Sequence, residues 1–302
     1  MYDYVWNPKL ANLCAKVPSH VISYISSKLY IGSKVLPKNQ DLAFKILDNS
    51  LRSANDYESI QNLKFSKAYL SKIYSIESNN LQLLKDSNNT LMQMCRDEYP
   101  QALFVMGKEL IMLKDTLKGL AGRASQERAK KFFEICVKNE YTPAYYYLGV
   151  IYQEGISVEK DLEKAVKLYE KGREYNDPQA VFKLAMIANG NGDKEQYYQL
   201  MKEAAEMGLM EAQHNLACYY LEKDEVVKAL GWFLNAGKHD FYPSMINIGT
   251  IFLSGKGKIL GNPLAAFIWF KRAQKIENSE QLEQLIEAAQ REIDNLHKDK
   301  NP

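Results

Sequence analysis

The chain has 302 residues, 46% hydrophobic and 25% charged, which is ordinary for a globular protein and enough to bury a sizeable core. Its 39 basic and 37 acidic side chains leave a net charge of +2, so no global field would recruit nucleic acid or an acidic membrane. Cys14, Cys95, Cys136 and Cys218 form no CxxC pair for zinc or a redox disulfide, and no uncharged stretch approaches the roughly 20 apolar residues of a membrane helix.

Scattered cysteines of this kind are expected as buried thiols in a reducing compartment. The 20 tyrosines, set against 9 prolines and 4 histidines, favour packed helices over a loop-rich secreted scaffold. Residues 4–40 contain no Asp or Glu but carry Lys9, Lys16, Lys28, Lys34 and Lys38. An acid-poor, basic, serine-containing start suggests mitochondrial import, although it has no arginine and Asp3 stands near its beginning; a basic first helix pair in the cytosol is the alternative. The compartment expected is thus intracellular, the mitochondrial matrix ahead of the cytosol.

VISYISSKLYIGSKVL and PKNQDLAFKILDNSL, between residues 21 and 51, read as one amphipathic helix pair. SKAYLSKIYSIE and LQLLKDSNNTLMQMC, between 66 and 95, read as a second. From Ala102 onward a repeat emerges. ALFVMGKEL, AYYYLGVIY, AVFKLAMIA, AQHNLACYY and SMINIGTIF begin at Ala102, Ala144, Ala180, Ala212 and Ser244. Their fifth residue is large and apolar, and their sixth is Gly107, Gly149, Ala185, Ala217 or Gly249, small enough for a second helix to approach.

A second ladder begins at Ala129, Ala165, Tyr197, Ala229 and Ala266. Large pairs follow it, such as Leu168–Tyr169 and Trp269–Phe270, and then a small residue at Cys136, Gly172, Ala204, Ala236 or Ala273. From each of the first four second-ladder starts to the next first-ladder start is 15 residues. Successive units are 42, 36, 32 and 32 residues long, with the variation confined to the loop inside each pair. The fold class expected is all-α: a right-handed α-solenoid of antiparallel helix pairs, a tetratricopeptide-like superhelix. SEQLEQLIEAAQREIDNLH places Leu282, Leu285, Ile286, Ala289, Ile293 and Leu296 on one stripe and reads as a capping helix.

The pattern A-x-x-x-L-G-x-x-Y-x-x-G followed by D-x-x-K-A-x-x-[WLY]-[YF]-x-K-[AG] resembles the Sel-one-like repeat, a relative of the tetratricopeptide repeat. Residues 144–172 carry it in Ala144, Leu148, Gly149, Tyr152, Gly155, Asp161, Lys164, Ala165, Tyr169, Lys171 and Gly172, and residues 244–273 nearly as well. The copies at Ala180 and Ala212 lack most of the intervening loop, and the copy at Ala102 carries Gly119 and Gly122 in a longer one. The organisation expected is an N-terminal helical region of degenerate repeats over 1–100, Sel-one-like repeats over 101–275, and a capping helix with its tail over 276–302. The resemblance implies an adaptor for multi-protein assemblies, including membrane-protein quality control, enzyme activation and mitochondrial respiratory-complex assembly.

Little in the chain suggests chemistry. GKGKILGNP, residues 255–263, lacks the phosphate-loop pattern G-x-x-x-x-G-K-[ST], so its glycines are expected to end a helix and turn the chain. His214 and Cys218 stand four apart on one helix, but two ligands do not make a metal site, and neither a metal nor a cofactor is expected. No spacing suggests a catalytic acid/base pair, and the protein is read as no enzyme.

A binding surface is the better expectation. The resemblance places the first helix of each pair along a concave groove, with its third, seventh and tenth residues exposed. The third row is Phe104, Tyr146, Phe182, His214 and Ile246; the seventh is Lys108, Val150, Met186, Cys218 and Thr250; the tenth is Ile111, Gln153, Asn189, Leu221 and Leu253. Such an apolar, aromatic strip marks a site for an apolar segment of another protein, unless it is core covered by the N-terminal helices. The partner expected is a protein, with a membrane-protein segment or assembly machinery foremost, peripheral membrane association left open and no nucleic acid. Helical-repeat RNA binding is an alternative that calls for a basic groove and steep salt dependence. A Sel-one-like hydrolase is the other, although such proteins are small, secreted and rich in paired cysteines.

Overall fold

The computed structural model describes residues 18–31, 39–112 and 119–298, and every regular element among them is an α-helix. The chain divides into two compact units, one ending at Ala144 and the other starting at Tyr145. This division follows packing density, whereas the regions 1–100, 101–275 and 276–302 follow likeness between repeats. The basic start up to residue 17, with Cys14, and the tail from residue 299 lie outside the described residues.

The first unit contains α1 (Ser19–Ile31), α2 (Gln40–Ser53), α3 (Tyr57–Glu77), α4 (Leu81–Arg96), α5 (Pro100–Met112) and α6 (Gly119–Lys138). They pack as consecutive pairs, α1 with α2, α3 with α4 and α5 with α6, so the two segments read as degenerate pairs are helix pairs. Ile22 and Tyr30 of α1, Ala43, Ile46 and Leu47 of α2, and Leu63 and Leu70 of α3 share one core. Side-chain caps start three of these helices: Asn39 accepts from the Leu42 N–H, Asp56 from Ser59 and Asn80 from Leu83. Gly119 and Gly122, expected in a loop, instead fall in α6. The helix formers around them (Ala121, Arg123, Ala124 and Gln126) extend it N-terminally.

The two buried cysteines of this unit match the expectation of packed thiols. Burial pushes the Cys95 thiol up to about 11 and the Cys136 thiol up to about 12, so both stay protonated near neutral pH. A charged contact also lies inside this unit. The ammonium of Lys72 on α3, a buried residue, pairs with the carboxylate of Glu109 on α5 and joins neighbouring helix pairs.

The second unit continues α7 (Pro143–Glu154) from Tyr145, then α8 (Leu162–Glu174), α9 (Pro178–Gly190), α10 (Lys194–Glu206), α11 (Met210–Glu222), α12 (Val226–Gly237), α13 (Tyr242–Ser254), α14 (Pro263–Gln274) and α15 (Glu280–Lys298). Where the small sixth residue of a first helix is glycine, it receives the ring four places into the second ladder. At Gly149 a Cβ would come 2.5 Å from Tyr169 Cε1, closer than any real contact, so only glycine fits. Gly249 stands in the same relation to Phe270.

The backbone explains the constant 15-residue step. Eleven residues after each of the first four second-ladder starts, the chain enters the left-handed region at Glu140 (φ 54°), Asn176 (φ 59°), Gly208 (φ 94°) and Asp240 (φ 64°). The next N–H turns back onto the small residue of the preceding helix: Tyr141 donates to the carbonyl of Cys136 (2.9 Å), Asp177 to Gly172 (2.9 Å), Leu209 to Ala204 (3.1 Å) and Phe241 to Ala236 (3.4 Å). This is the Schellman closure of a helix, and its fixed length fixes the step.

In the second unit the loop inside each pair varies in length but closes the same way. The carbonyl of the ninth first-helix residue accepts the N–H that precedes the second helix: Tyr152 from Asp161 (2.9 Å), Ala188 from Asp193 (3.0 Å), Tyr220 from Glu225 (2.9 Å) and Phe252 from Asn262 (2.7 Å). Asp161 then caps α8, its carboxylate accepting from the Lys164 N–H at 2.8 Å. Gly255, in the stretch GKGKILGNP, is the left-handed residue that ends α13 (φ 61°), as expected of its glycines. At the far end, Leu282 and Ala289 of α15 are buried against Met245, Ala266, Phe270 and Ala273, with Leu285 and Ile286 packed beside them; Ile293 is half-buried and Leu296 exposed.

Candidate partner-binding face

Phe104 and Lys108 lie on α5 of the first unit. The Phe104 ring packs edge-on against buried Phe133 and tilts against Tyr141, and the Lys108 ammonium sits 5.5 Å from its centroid. Both residues are half-buried, and so is Ile111.

The other predicted residues lie on α7, α9, α11 and α13 of the second unit. None of them is buried as core: Tyr146, Val150, Gln153, Phe182, Asn189, His214, Cys218, Leu221, Ile246 and Leu253 are half-buried, while Met186 (42%) and Thr250 are exposed. Half-burial follows from helix geometry, because residues on the margin of a packing stripe are covered on one side only. Tyr146 tilts against Tyr169 and meets Tyr147 edge-on. Burial, the Tyr147 hydroxyl and the carboxylates of Asp177 and Glu211 hold its phenol above the ordinary value.

The polar members of the face are already occupied. Gln153 Oε1 accepts from the Tyr169 hydroxyl (2.8 Å), and Asn189 Oδ1 accepts from Lys194 Nζ (2.7 Å). The Thr250 hydroxyl donates back to the carbonyl of Ile246 (2.9 Å). His214 Nδ1 lies 3.0 Å from the hydroxyl of fully buried Ser244, its Nε2 lies 3.6 Å from Cys218 Sγ, and its ring packs between Phe233 and Phe241. His214 thus joins α11 to α13, a role that the residue pattern did not disclose because Ser244 lies 30 residues away. Among the described residues no group of three or more His, Cys, Asp or Glu is placed to hold a metal ion, and no helix is long and apolar enough to cross a membrane.

The environment of His214 has a measurable consequence. Burial lowers its pKa, so the unfolded chain takes up the proton more readily than the folded one. The stability this contributes is present above the unfolded value of about 6.5 and is lost as pH falls through it toward the folded value. The melting midpoint of the second unit is expected to fall between about pH 7 and pH 5, and His214→Gln to flatten that dependence. Thermal melts of both proteins across this range, read by hydrogen exchange in α11 and α13, provide the check.

Comparison with known proteins matches this architecture. The Sel1 repeat model matches residues 142–174, 211–240 and 243–273, which are the pairs α7–α8, α11–α12 and α13–α14. The unmatched pair between them is the one with Ala188 for a bulky ninth residue and Tyr197 for the second-ladder alanine. Protein SHC1 of Saccharomyces cerevisiae, found in two strains, is 24% identical over 157 residues, 51% of this chain. The match spans 30% of the length of those relatives. A Sel1 repeat protein from Oxalobacter formigenes aligns with a TM-score of 0.60 at 19% identity, over 89% of this chain and 75% of its own. The protective antigen c5321 of uropathogenic Escherichia coli, described as displaying an SLR fold, aligns at 0.57 and 18% identity, over 91% and 57%. Such repeats support a protein-interaction scaffold in general. The chain carries Sel1 repeats, set within an all-α fold of the kind that Sel1-repeat proteins share.

Proposed function

We propose that the protein is a non-catalytic scaffold whose first-helix face in the second unit takes an apolar segment of a partner protein. The observation that carries this reading is the state of the three rows. Tyr146, Phe182, Met186 and Ile246 are not sealed into the core, and the polar residues Gln153, Asn189 and Thr250 among them bond within the chain. A face with apolar contacts to offer and few unsatisfied polar groups favours an apolar ligand over a charged one.

On this reading the partner is a segment of a membrane protein under assembly, for example in a mitochondrial respiratory complex. The acid-free residues 4–40 support that compartment. The test is affinity purification of the wild type beside Tyr146→Ala/Phe182→Ala, each from the compartment where a tagged full-length chain localises. Aromatic anchors of this kind are worth about 2 kcal/mol or more, so partner recovery should fall at least about tenfold while the melting curve of the rest of the chain persists. Recovery unchanged by the double substitution would show that this face is not the site.

A further inference from the structure

The outward face of the second helices changes character along the second unit. Take the residues two before and two, five and nine after each second-ladder start; their spacing puts them on one helical face. On α8 they are Glu163, Lys167, Glu170 and Glu174, and on α10 they are Glu195, Gln199, Lys202 and Glu206. These eight positions hold five carboxylates and two lysines, and α8 pairs its charges locally, Lys167 with Glu163 at 2.7 Å. On α12 the same positions are Val227, Gly231, Leu234 and Lys238, and on α14 they are Leu264, Ile268, Lys271 and Lys275. Here there is no carboxylate and there are three lysines. Val227, Leu264 and Ile268 are each more than half exposed.

The loop that leads into α14 adds to this surface. Gly257 packs against Val226 at the start of α12, which sets the loop beside that helix. The loop carries exposed Lys256 and Lys258 and Leu260, which is 87% exposed. Its counterpart in the repeat over 143–174 has half-buried Val158 and an acidic Glu159 instead. Residues 241–276 contain no Asp or Glu and five basic residues, of which Arg272 is engaged by Asp240. Asp224 and Glu225 stand at the edge of the patch, where Glu225 is paired with Lys228.

We propose that this surface docks the protein peripherally on an anionic lipid bilayer. Its exposed apolar groups are aliphatic, without the rigid aromatic anchors of a protein hot spot, and lysines flank them. Leu260, Leu264 and Ile268 would enter the boundary between headgroups and acyl chains, while the lysine stems reach the lipid phosphates. The acid-free composition matches the negative potential of such a surface. The first-helix reading is not needed for this, because the residues belong to the second helices and their loop.

The test is co-sedimentation of the full chain with phosphatidylcholine vesicles and with vesicles containing about a third phosphatidylserine. Wild type is expected to bind the anionic vesicles at least about tenfold more tightly, with each lysine contributing up to about fivefold. Leu260→Ser/Leu264→Ser/Ile268→Ser should weaken binding at least about tenfold with an unchanged melting midpoint, since all three side chains are exposed. Lys256→Gln/Lys258→Gln should reduce the preference for anionic vesicles, whereas Glu163→Gln/Glu170→Gln on α8 should leave it intact. Indifference of the wild type to both vesicle types would overturn the proposal and leave an acidic protein as the occupant. Serine variants that bind as well as wild type would overturn it too.

Discussion

Phe270→Ala is expected to destabilise the last repeat by about 3–5 kcal/mol, because a fully buried ring leaves a cavity that its neighbours only partly fill. The ring lies in the core that joins α13 and α14 to the capping helix, so the loss should spread to Met245, Leu282 and Ala289. The reciprocal change, Gly249→Ala, places a methyl in the volume of that ring and should cost about 1–3 kcal/mol by overpacking. The combination is the stronger test. In Gly249→Ala/Phe270→Ala the added methyl meets a vacated space, so the double change should cost less than the sum of the single ones. Hydrogen exchange in α13 and α14 is the suitable measure, because an array of repeats can lose its end before it loses its middle. Additive single costs would mean that Gly249 and Phe270 do not share this space.

In the first unit, Glu109→Gln should cost about 2–3 kcal/mol and Lys72→Met much less. Removing the carboxylate leaves an ammonium in a site where its side chain is only 10% exposed, and an unpaired buried charge is the expensive state. Glu109 itself is 37% exposed, which moderates the cost below that of a fully buried pair. Methionine follows the lysine stem and removes the charge together with its need for a partner. Lys72→Met/Glu109→Gln should therefore recover most of what Glu109→Gln loses. Urea melts of the four proteins check this; a double variant as unstable as Glu109→Gln would show that the pair acts through packing and not through charge.

The repeat itself was legible because its causes are local. A small residue, a large partner and a fixed turn recur at set spacings, and the 15-residue step follows from a Schellman closure that occupies the same number of residues whatever stands in the left-handed position. The N-terminal pairs were legible only as amphipathic stripes. The left-handed turn recurs there too, at Asn79 and Glu98. What could not be read were contacts between residues far apart in the chain. The pairing of Lys72 with Glu109 and the bond from His214 to Ser244 arise when helices of neighbouring pairs meet, and no spacing rule announces either. The three rows of the candidate face, expected to be exposed, are instead mostly half-buried, because their cover depends on how closely the adjacent first helices approach.

The two kinds of junction also suggest how such a chain can diversify. The turn between pairs closes on its own backbone at Glu98, Glu140, Asn176, Gly208 and Asp240, so glutamate, asparagine, glycine and aspartate all serve in the left-handed position. A whole pair can therefore be copied or deleted in frame without the junction depending on one conserved side chain. The loop inside a pair is free to grow, since one carbonyl-to-N–H bond re-establishes the start of the second helix after five residues, as from Ala188 to Asp193, or after ten, as from Phe252 to Asn262. Duplication thus sets the reach of the array, and loop growth is where a single copy can gain a surface that its sisters lack.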